Sequence, residues 1–217
     1  METTTVAVTD QNLLNSSNMT VVNCQNSPDK SNITVNFNGT MIKVVVTASA
    51  SVVDEWIEST VLVSDEFHRR QKLVVALSVD PSANTLQLCV NRRCLIFQLS
   101  QANDVPPSLR SFLCDPACKF TGFLTKWHRS KLLSCRHRLK MQFGPVDVRY
   151  IEAGFENCSV EEMIQKFLGC NVELKEEIKT SDWSVQNLSN DQVLYACVEC
   201  YCAFFIGKNL RSWYGDI

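Results

Sequence analysis

The sequence predicts an α/β fold, a mixed central sheet flanked by helices, with an extra β-hairpin on its N-terminal side. Two observations predict it: three strand-like segments follow one another over residues 72–99, and strand-like and helix-like segments alternate after them. The 217 residues, 45% of them hydrophobic, are enough for one domain of ordinary size. We expect this domain over residues 32–217, after a flexible tail over residues 1–31 that is rich in Thr, Asn and Ser.

β-Branched and apolar residues mark the strands of this sheet. The segments are 33–37, 41–47, 72–79, 85–90, 94–99, 120–124 and 146–150. The first two flank Asn38-Gly39, a pair that favours the type I′ turn of a hairpin. The third is almost continuously apolar, which is typical of an interior strand buried on both faces, and the next two flank a short Asn-Arg-Arg turn.

Helical spacing of apolar residues predicts the helices. The segments are 52–62, 106–113, 126–134, 160–168 and 191–211. Ser51 and Ser189 can cap the first and the last of them. Pro106 and Pro107 suit the start of the second, and Gly169 suits the end of the fourth.

Charge gives one local signal for a binding surface. Lys and Arg total 21 against 23 Asp and Glu, so the whole chain has no positive field that indicates nucleic acid. Residues 119–140 nevertheless contain no acidic residue, which makes this segment the candidate for phosphate-backbone contacts. The candidate nucleic-acid-binding residues are Lys126, Arg129, Lys131, Arg136, Arg138 and Lys140. A solvated basic face is the alternative, and Trp127 could either stack on a base or simply pack.

Eleven cysteines inform the compartment more than the chemistry. The first twenty residues lack a secretory signal, so we expect reduced thiols in the cytoplasm, the nucleus or both. No apolar run approaches the roughly 20 residues of a membrane span. Cys197, Cys200 and Cys202 could suggest a metal knuckle, but no histidine stands at zinc-finger spacing, and buried thiols are the favoured interpretation. No local signature of a Cys-His hydrolase is present.

Three segments carry a resemblance to a known family. Residues 86–99, 106–113 and 191–197 resemble plant Werner-syndrome-like exonucleases, which belong to the DnaQ-like DEDDy 3′–5′ exonucleases with a ribonuclease H-like fold. Within that group the chain is most similar to the RISC-interacting clearing exoribonucleases. The resemblance implies a ring-shaped homohexamer with active sites near subunit junctions, and single-stranded RNA or DNA as partner.

The resemblance also implies a two-metal site, in which four acids hold ions about 4 Å apart and a Tyr orients the attacking water. Here the expected Asp-x-Glu motif is replaced by Ser78-Val79-Asp80, and the acid of the second motif by His128. Tyr195 and Glu199 stand in place of the third motif, Tyr-x-x-x-Asp, and a spacing of four puts them on one helix face. Tyr195 could instead be an aromatic at the edge of the core.

Two carboxylates, Asp80 and Glu199, thus stand where the family has four. A Mg²⁺ or Mn²⁺ pair depends on charged oxygens, so we expect these two residues to bind metal weakly and catalysis to be absent or weak. One alternative is an active exonuclease whose site is altered, or is completed by acids of a neighbouring subunit. The candidates for that are Asp54, Glu55, Asp65 and Glu66. Another alternative is a ring-forming interaction protein without a nucleic-acid role.

Overall fold

The computed structural model of this chain describes residues 19–63 and 72–210, and over these residues eight strands form one mixed sheet. The strands are β1 Met19–Asn26, β2 Lys30–Phe37, β3 Thr40–Thr47, β4 Leu73–Val79, β5 Leu86–Val90, β6 Arg93–Phe97, β7 Cys118–Gly122 and β8 Val146–Asp147. Their order across the sheet is β1-β2-β3-β6-β5-β4-β7-β8. Because helices flank this mixed sheet, the predicted α/β class is confirmed.

Helices connect and cover these strands. They are α1 Ala50–Val63, α2 Pro107–Cys114, α3 His128–Ser134, α4 Val160–Leu168 and α5 Asn190–Asn209, with short helical turns at Thr125–Trp127, Val148–Tyr150 and Glu176–Lys179. Ser189 caps α5 as predicted, because its side chain accepts a hydrogen bond from the backbone N–H of Gln192. Over the described ranges, no helix is both long enough and apolar enough to cross a membrane.

The N-terminal hairpin is confirmed, and it extends further than predicted. Asn38 and Gly39 have φ angles of 46° and 81°, the left-handed values that a type I′ turn requires. Residues 19–26, which the sequence placed in the flexible tail, form β1 and pair antiparallel with β2. Because β1 is an edge strand, most of its side chains face solvent and no apolar alternation marks it. Residues 1–18 lie outside the described residues.

Among the element boundaries that differ from the sequence-based expectation, two have a local reason. Helix α1 begins at Ala50, because Ser49 rather than Ser51 precedes it and the carbonyl of Ser49 accepts from the backbone N–H of Val53 at 3.2 Å. The predicted strand over residues 146–150 is reduced to β8. The carboxylate of Asp147 accepts the backbone N–H of Arg149 and so caps a helical turn immediately after β8.

Parallel strands bring several chain ends to one edge of the sheet. β4 is parallel to β7, and it is parallel to β6 through the antiparallel β5 between them, so the C-terminal ends of β4, β6 and β7 share an edge. Helix α5 lies across β4, β5 and β7. Gly207 permits this close packing, since a Cβ there would lie 2.8 Å from Cγ2 of Thr121. Crevices at the carboxyl ends of strands commonly hold ligands.

Buried thiols fill the space between α5 and the β5–β6 hairpin. Cys89 and Cys94 are cross-strand partners with their sulfurs 2.7 Å apart, and Cys197, Cys200 and Cys202 of α5 are buried as well. Burial raises the pKa of all five thiols, so they remain protonated at neutral pH. These cysteines contribute to the core.

Candidate functional site

A cavity of about 190 Å³ lies at the C-terminal end of β4, between β4, α3 and α5. Its wall includes every position that the sequence singled out as a candidate catalytic residue. These are Ser78, Asp80, His128, Tyr195 and Glu199. Ser78 and Glu199, 121 positions apart in the sequence, meet here because α5 packs directly on β4. The cavity is therefore the candidate functional site.

Glu199 is held by Ser78 inside the cavity. The hydroxyl of Ser78, on β4, donates to Oε2 of Glu199, on α5, over 3.0 Å. Burial raises the pKa of Glu199 to about 7, an effect that the hydrogen bond from Ser78 and the charges of Lys179 and Lys131 oppose, while Glu161 adds to it. Near neutral pH, Glu199 is divided between its charged and neutral forms.

Asp80 uses both of its carboxylate oxygens to stabilise the β4–β5 connection. Oδ2 accepts the backbone N–H of Ser82 at 3.0 Å, and Oδ1 accepts both the backbone N–H and the hydroxyl of Thr85. Asp80 itself is buried. These bonds orient the carboxylate toward the turn, so Asp80 has little capacity left for a ligand in the cavity.

His128 is a neutral imidazole at the start of α3. It is buried, and its Nδ1 atom has no hydrogen-bond partner among the described residues. Burial and the charge of Lys131 lower its pKa to about 4, against a smaller opposing effect of Asp147. A buried polar atom left without a partner is costly, by about 1–3 kcal/mol, and such atoms often mark sites that bind something.

Tyr195 stands one helical turn before Glu199 on α5. It is buried, and its ring meets that of Trp183 edge-on at a centroid separation of 6.4 Å. Burial, with the charge of Glu199 as a second cause, raises the pKa of Tyr195, so the phenol remains protonated and can donate a hydrogen bond. This residue both packs and lines the cavity.

The donor set of the cavity does not fit a pair of hard divalent ions. Mg²⁺ prefers several charged oxygens in near-octahedral order. Asp80 accepts hydrogen bonds from its turn, Glu199 accepts one from Ser78, and His128 offers nitrogen, which suits softer metals. Over residues 19–63 and 72–210, no three His, Cys, Asp or Glu side chains are grouped to hold a metal ion.

Two of the four acids considered as a contribution from a neighbouring subunit have partners of their own within the chain. Asp54, on α1, accepts a hydrogen bond from the hydroxyl of Ser108, and Glu55 forms an ion pair with Lys30 at 3.3 Å. Asp65 and Glu66 lie outside the described residues.

The basic segment 119–140 divides into two parts in the structure. Lys126, Arg129 and Lys131 lie on the helical turn and helix beside the cavity, and the ammonium of Lys126 lies 5.0 Å from the ring centroid of Trp127, whose side chain is 60% exposed. The second part, around Arg136, is anchored elsewhere.

That second part packs against the segment that follows β6. The guanidinium of Arg136 donates to the carbonyl of Ser100 at 2.9 Å, and Arg110 donates to the carbonyl of His137 at 3.1 Å. Arg138 and Lys140 are exposed. Arg136 therefore forms a hydrogen bond that stabilises the fold, and it is also exposed to solvent.

Among the charged residues of the cavity wall, sequence reasoning missed Lys179 and did not place Lys131 there. Lys179 lies in the helical turn before α5, ion-paired with Glu176 at 3.0 Å, and it also faces the cavity. No spacing or motif points to it, because it reaches the site from a four-residue helical turn in an irregular part of the chain. Lys131 was predicted as part of a basic surface, whereas the structure places it in the cavity wall, near Glu199 and His128.

Comparison with known proteins gives remote similarity to exonucleases. The chain is 22% identical over 184 residues to a protein of Acanthamoeba polyphaga mimivirus named as a 3′–5′ exonuclease, covering 78% of this chain and 46% of that protein. It is 24% identical over 180 residues to a 3′–5′ exonuclease of Drosophila grimshawi, covering 77% and 54%. The chain thus spans about half the length of these curated relatives. No family model matches it.

Structural comparison points the same way at the level of the fold. Escherichia coli RNase D, an exoribonuclease, superimposes with a TM-score of 0.61 at 14% identity, over 76% of this chain and 43% of that one. The chain thus shares its fold with RNase D, and its sequence is remotely similar to 3′–5′ exonucleases.

Proposed function

We propose that this chain is an exonuclease-like protein that binds single-stranded nucleic acid and hydrolyses it weakly or not at all. One observation carries the proposal: the hydroxyl of Ser78 donates to Glu199 at 3.0 Å, at the position where the family resemblance implies a metal-bridging carboxylate. A hydroxyl donor satisfies Glu199 in the way that a cation would in an active site, but it cannot hold two divalent ions.

The remaining positions support the same proposal. Asp80 is bonded to Ser82 and Thr85, and His128 is uncharged at neutral pH. Hydrolysis by two metals needs ions that activate water and stabilise the leaving oxygen, and weak binding of Mg²⁺ or Mn²⁺ would remove most of that assistance. Lys126, Arg129 and Lys131, next to this cavity, supply charge for the nucleic-acid backbone.

Finer features are proposed on the family resemblance. They are membership of the Werner-like group that includes RISC-interacting clearing exoribonucleases, assembly as a ring-shaped homohexamer, and residence in the cytoplasm, the nucleus or both. The segments that support the group are 86–99, 106–113 and 191–197.

A restoration experiment tests the proposed loss of chemistry. The double variant Ser78→Asp, His128→Asp returns the two acids implied by the family. Adding Glu199→Gln to this double variant gives the matched inactive control. We expect 5′-labelled single-stranded RNA or DNA with Mn²⁺ to remain intact with the natural protein and to shorten from its 3′ end with the double variant. If the natural protein shortens the strand, and the single substitution Glu199→Gln removes that shortening, the chain is an active exonuclease instead.

Binding is measured in the same samples. We expect the labelled strand to bind and its affinity to fall as salt rises, because cations are released from the phosphates. Absence of binding at moderate salt would overturn the nucleic-acid role and favour an interaction protein.

A further inference from the structure

We propose that the β8 edge of the sheet docks an extended segment of a partner protein that carries both acidic and apolar side chains. The surface, which we call the edge patch, is formed by five exposed residues: Arg138, Lys140, Phe143, Val146 and Tyr150. None of these five residues lines the cavity at the end of β4. The inference therefore goes beyond the proposed function, because it concerns a different surface and a different class of partner.

Three large apolar side chains are exposed along this edge. Phe143 is 65% exposed, Tyr150 63% and Val146 37%. β8 ends the strand order and pairs with β7 alone among the described strands, so these side chains lie at the margin of the sheet. Successive members are three and four residues apart, which keeps neighbouring Cα atoms within about 14 Å of one another. Exposed apolar side chains grouped in this way are typical of surfaces that bind other proteins.

The chain that enters β8 also has peptide groups without partners. The backbone N–H and C=O groups of residues 141–144 form no hydrogen bond within residues 19–63 and 72–210. Residues 142–144 are exposed, so another chain can reach these groups. A polypeptide segment both donates to and accepts from such groups, as strands do when they add to the edge of a sheet. The phosphates of a nucleic acid only accept, so the unpaired carbonyls favour a polypeptide.

Unpaired positive charge selects an acidic partner. Arg138 and Lys140 form no ion pair within the described ranges. Arg110 and Arg136 lie beside them, since Arg110 donates to the carbonyl of His137 and Arg136 is two residues before Arg138. Both bond uncharged carbonyl groups, so their own charges remain. Asp or Glu side chains of a partner would complement these four cations.

The acids near the edge patch leave most of this charge in place. Residues 119–146 contain no acid, and Asp147 is buried and already ion-paired at 2.8 Å. Asp115 is close to Lys140, because the neighbouring thiol donates to the carbonyl of Lys140 at 3.4 Å, but a single carboxylate does not balance four cations. Glu152 is exposed and ends the basic stretch. The cations thus lie at the start of the edge patch, and the apolar side chains follow them along the chain.

The probe is a fluorescein-labelled peptide, Glu-Asp-Val-Phe-Val-Glu-Asp, whose acids flank an apolar centre so that it can bind in either direction. Two matched peptides separate the contributions: Lys-Lys-Val-Phe-Val-Lys-Lys reverses the charge, and Glu-Asp-Ser-Ser-Ser-Glu-Asp removes the apolar centre. We expect fluorescence anisotropy to show binding of the probe and at least tenfold weaker binding of both matched peptides. Amide hydrogen exchange should slow over residues 141–147 when the probe is bound.

Variants locate the binding. Lys140→Glu and Phe143→Ser should each weaken binding of the probe at least tenfold, the first through charge repulsion and the second through lost apolar contact. The matched controls are Lys43→Glu and Met41→Ser, which change an exposed lysine and an exposed apolar residue of β3, far from β8 in the strand order. Both controls should bind the probe as the natural protein does. Thermal unfolding of each variant shows whether the fold is retained.

The inference is overturned if the probe does not bind, if either matched peptide binds as tightly as the probe, or if the affinity is unchanged in both edge-patch variants. Two further results would also overturn it, because they assign the edge patch to another occupant. Displacement of the probe by a single-stranded oligonucleotide would show that nucleic acid covers it. A molar mass by light scattering that falls in the Phe143→Ser variant would show that a second copy of the chain covers it.

Discussion

Helix α5 has two buried faces: one packs in the core, and the other lines the cavity. One face presents Cys197 and Cys200 to the sheet, where closely packed thiols fill the core. The other presents Tyr195 and Glu199 to a cavity that also contains two lysines and the imidazole of His128, whose Nδ1 has no hydrogen-bond partner within residues 19–63 and 72–210. Burial raises pKa values on both faces, so a shifted pKa alone does not mark a site. Open volume and polar atoms without partners distinguish the cavity face.

The largest expected effect tests the thiol face. Cys197→Asp should lower the free energy of unfolding by about 3–5 kcal/mol, because it places an uncompensated charge in the core. Urea denaturation followed by circular dichroism measures the change, with Cys197→Ala as the milder control. A loss below 1 kcal/mol would show that this face is not tightly packed core.

The next effect concerns His128 and pH. A group whose folded-state pKa is lowered, here from 6.5 to about 4, loses stability as the pH falls through that window, by about 3 kcal/mol in total. His128→Gln should remove this loss, so the unfolding free energies of the two proteins should diverge from one another between pH 6.5 and 4. Parallel curves over that range would contradict the burial of a neutral imidazole. Comparison with the variant cancels the titration of groups that the two proteins share.

A third effect has the opposite pH dependence. The pKa of Glu199 is raised from 4.5 to about 7, so its contribution to stability is full below pH 4.5 and is lost as the pH rises through 7. Glu199→Gln should therefore raise the free energy of unfolding by about 1–3 kcal/mol at pH 8 and by much less at pH 4. Thermal melts at both pH values measure this. Destabilisation at pH 8 would show that the charge of Glu199 is well compensated by Lys131 and Lys179.

The smallest effect concerns the rim of the cavity. Trp127→Ala should change the free energy of unfolding by no more than about 0.5 kcal/mol from that of the natural protein, since most of the side chain is exposed. It should weaken binding of a single-stranded oligonucleotide by about 1–3 kcal/mol, which is typical of losing one stacked base. Fluorescence anisotropy measures the affinity. Loss of stability without loss of affinity would make Trp127 a packing residue.

The sequence predicts the elements whose signals are local. The type I′ pair at Asn38-Gly39 and the cap at Ser189 act within a few residues, and the structure contains both elements. β1 was missed because an exposed edge strand has no apolar alternation to detect. Its stability comes from hydrogen bonds to β2, which no local pattern records.

The five residues singled out in the sequence line one cavity, but their side-chain partners were not predicted. Ser78 and Glu199 were singled out, as positions of two different motifs, only through the family resemblance, and their hydrogen bond across 121 positions was not predicted. The bonds that engage Asp80 depend on the path of the β4–β5 connection, and Lys179 reaches the cavity through tertiary packing. Side-chain partners of this kind are set by the fold as a whole, so residue type and spacing do not reveal them.

The central claim is that the cavity retains nucleic acid without metal-dependent hydrolysis. The most direct measurement incubates 5′-labelled single-stranded RNA with excess natural protein, in EDTA and in Mn²⁺, and reads binding and strand length from the same samples. The account predicts equal binding in both conditions and a strand of unchanged length. Progressive 3′ shortening in Mn²⁺ that disappears in EDTA and in the Glu199→Gln variant would contradict it.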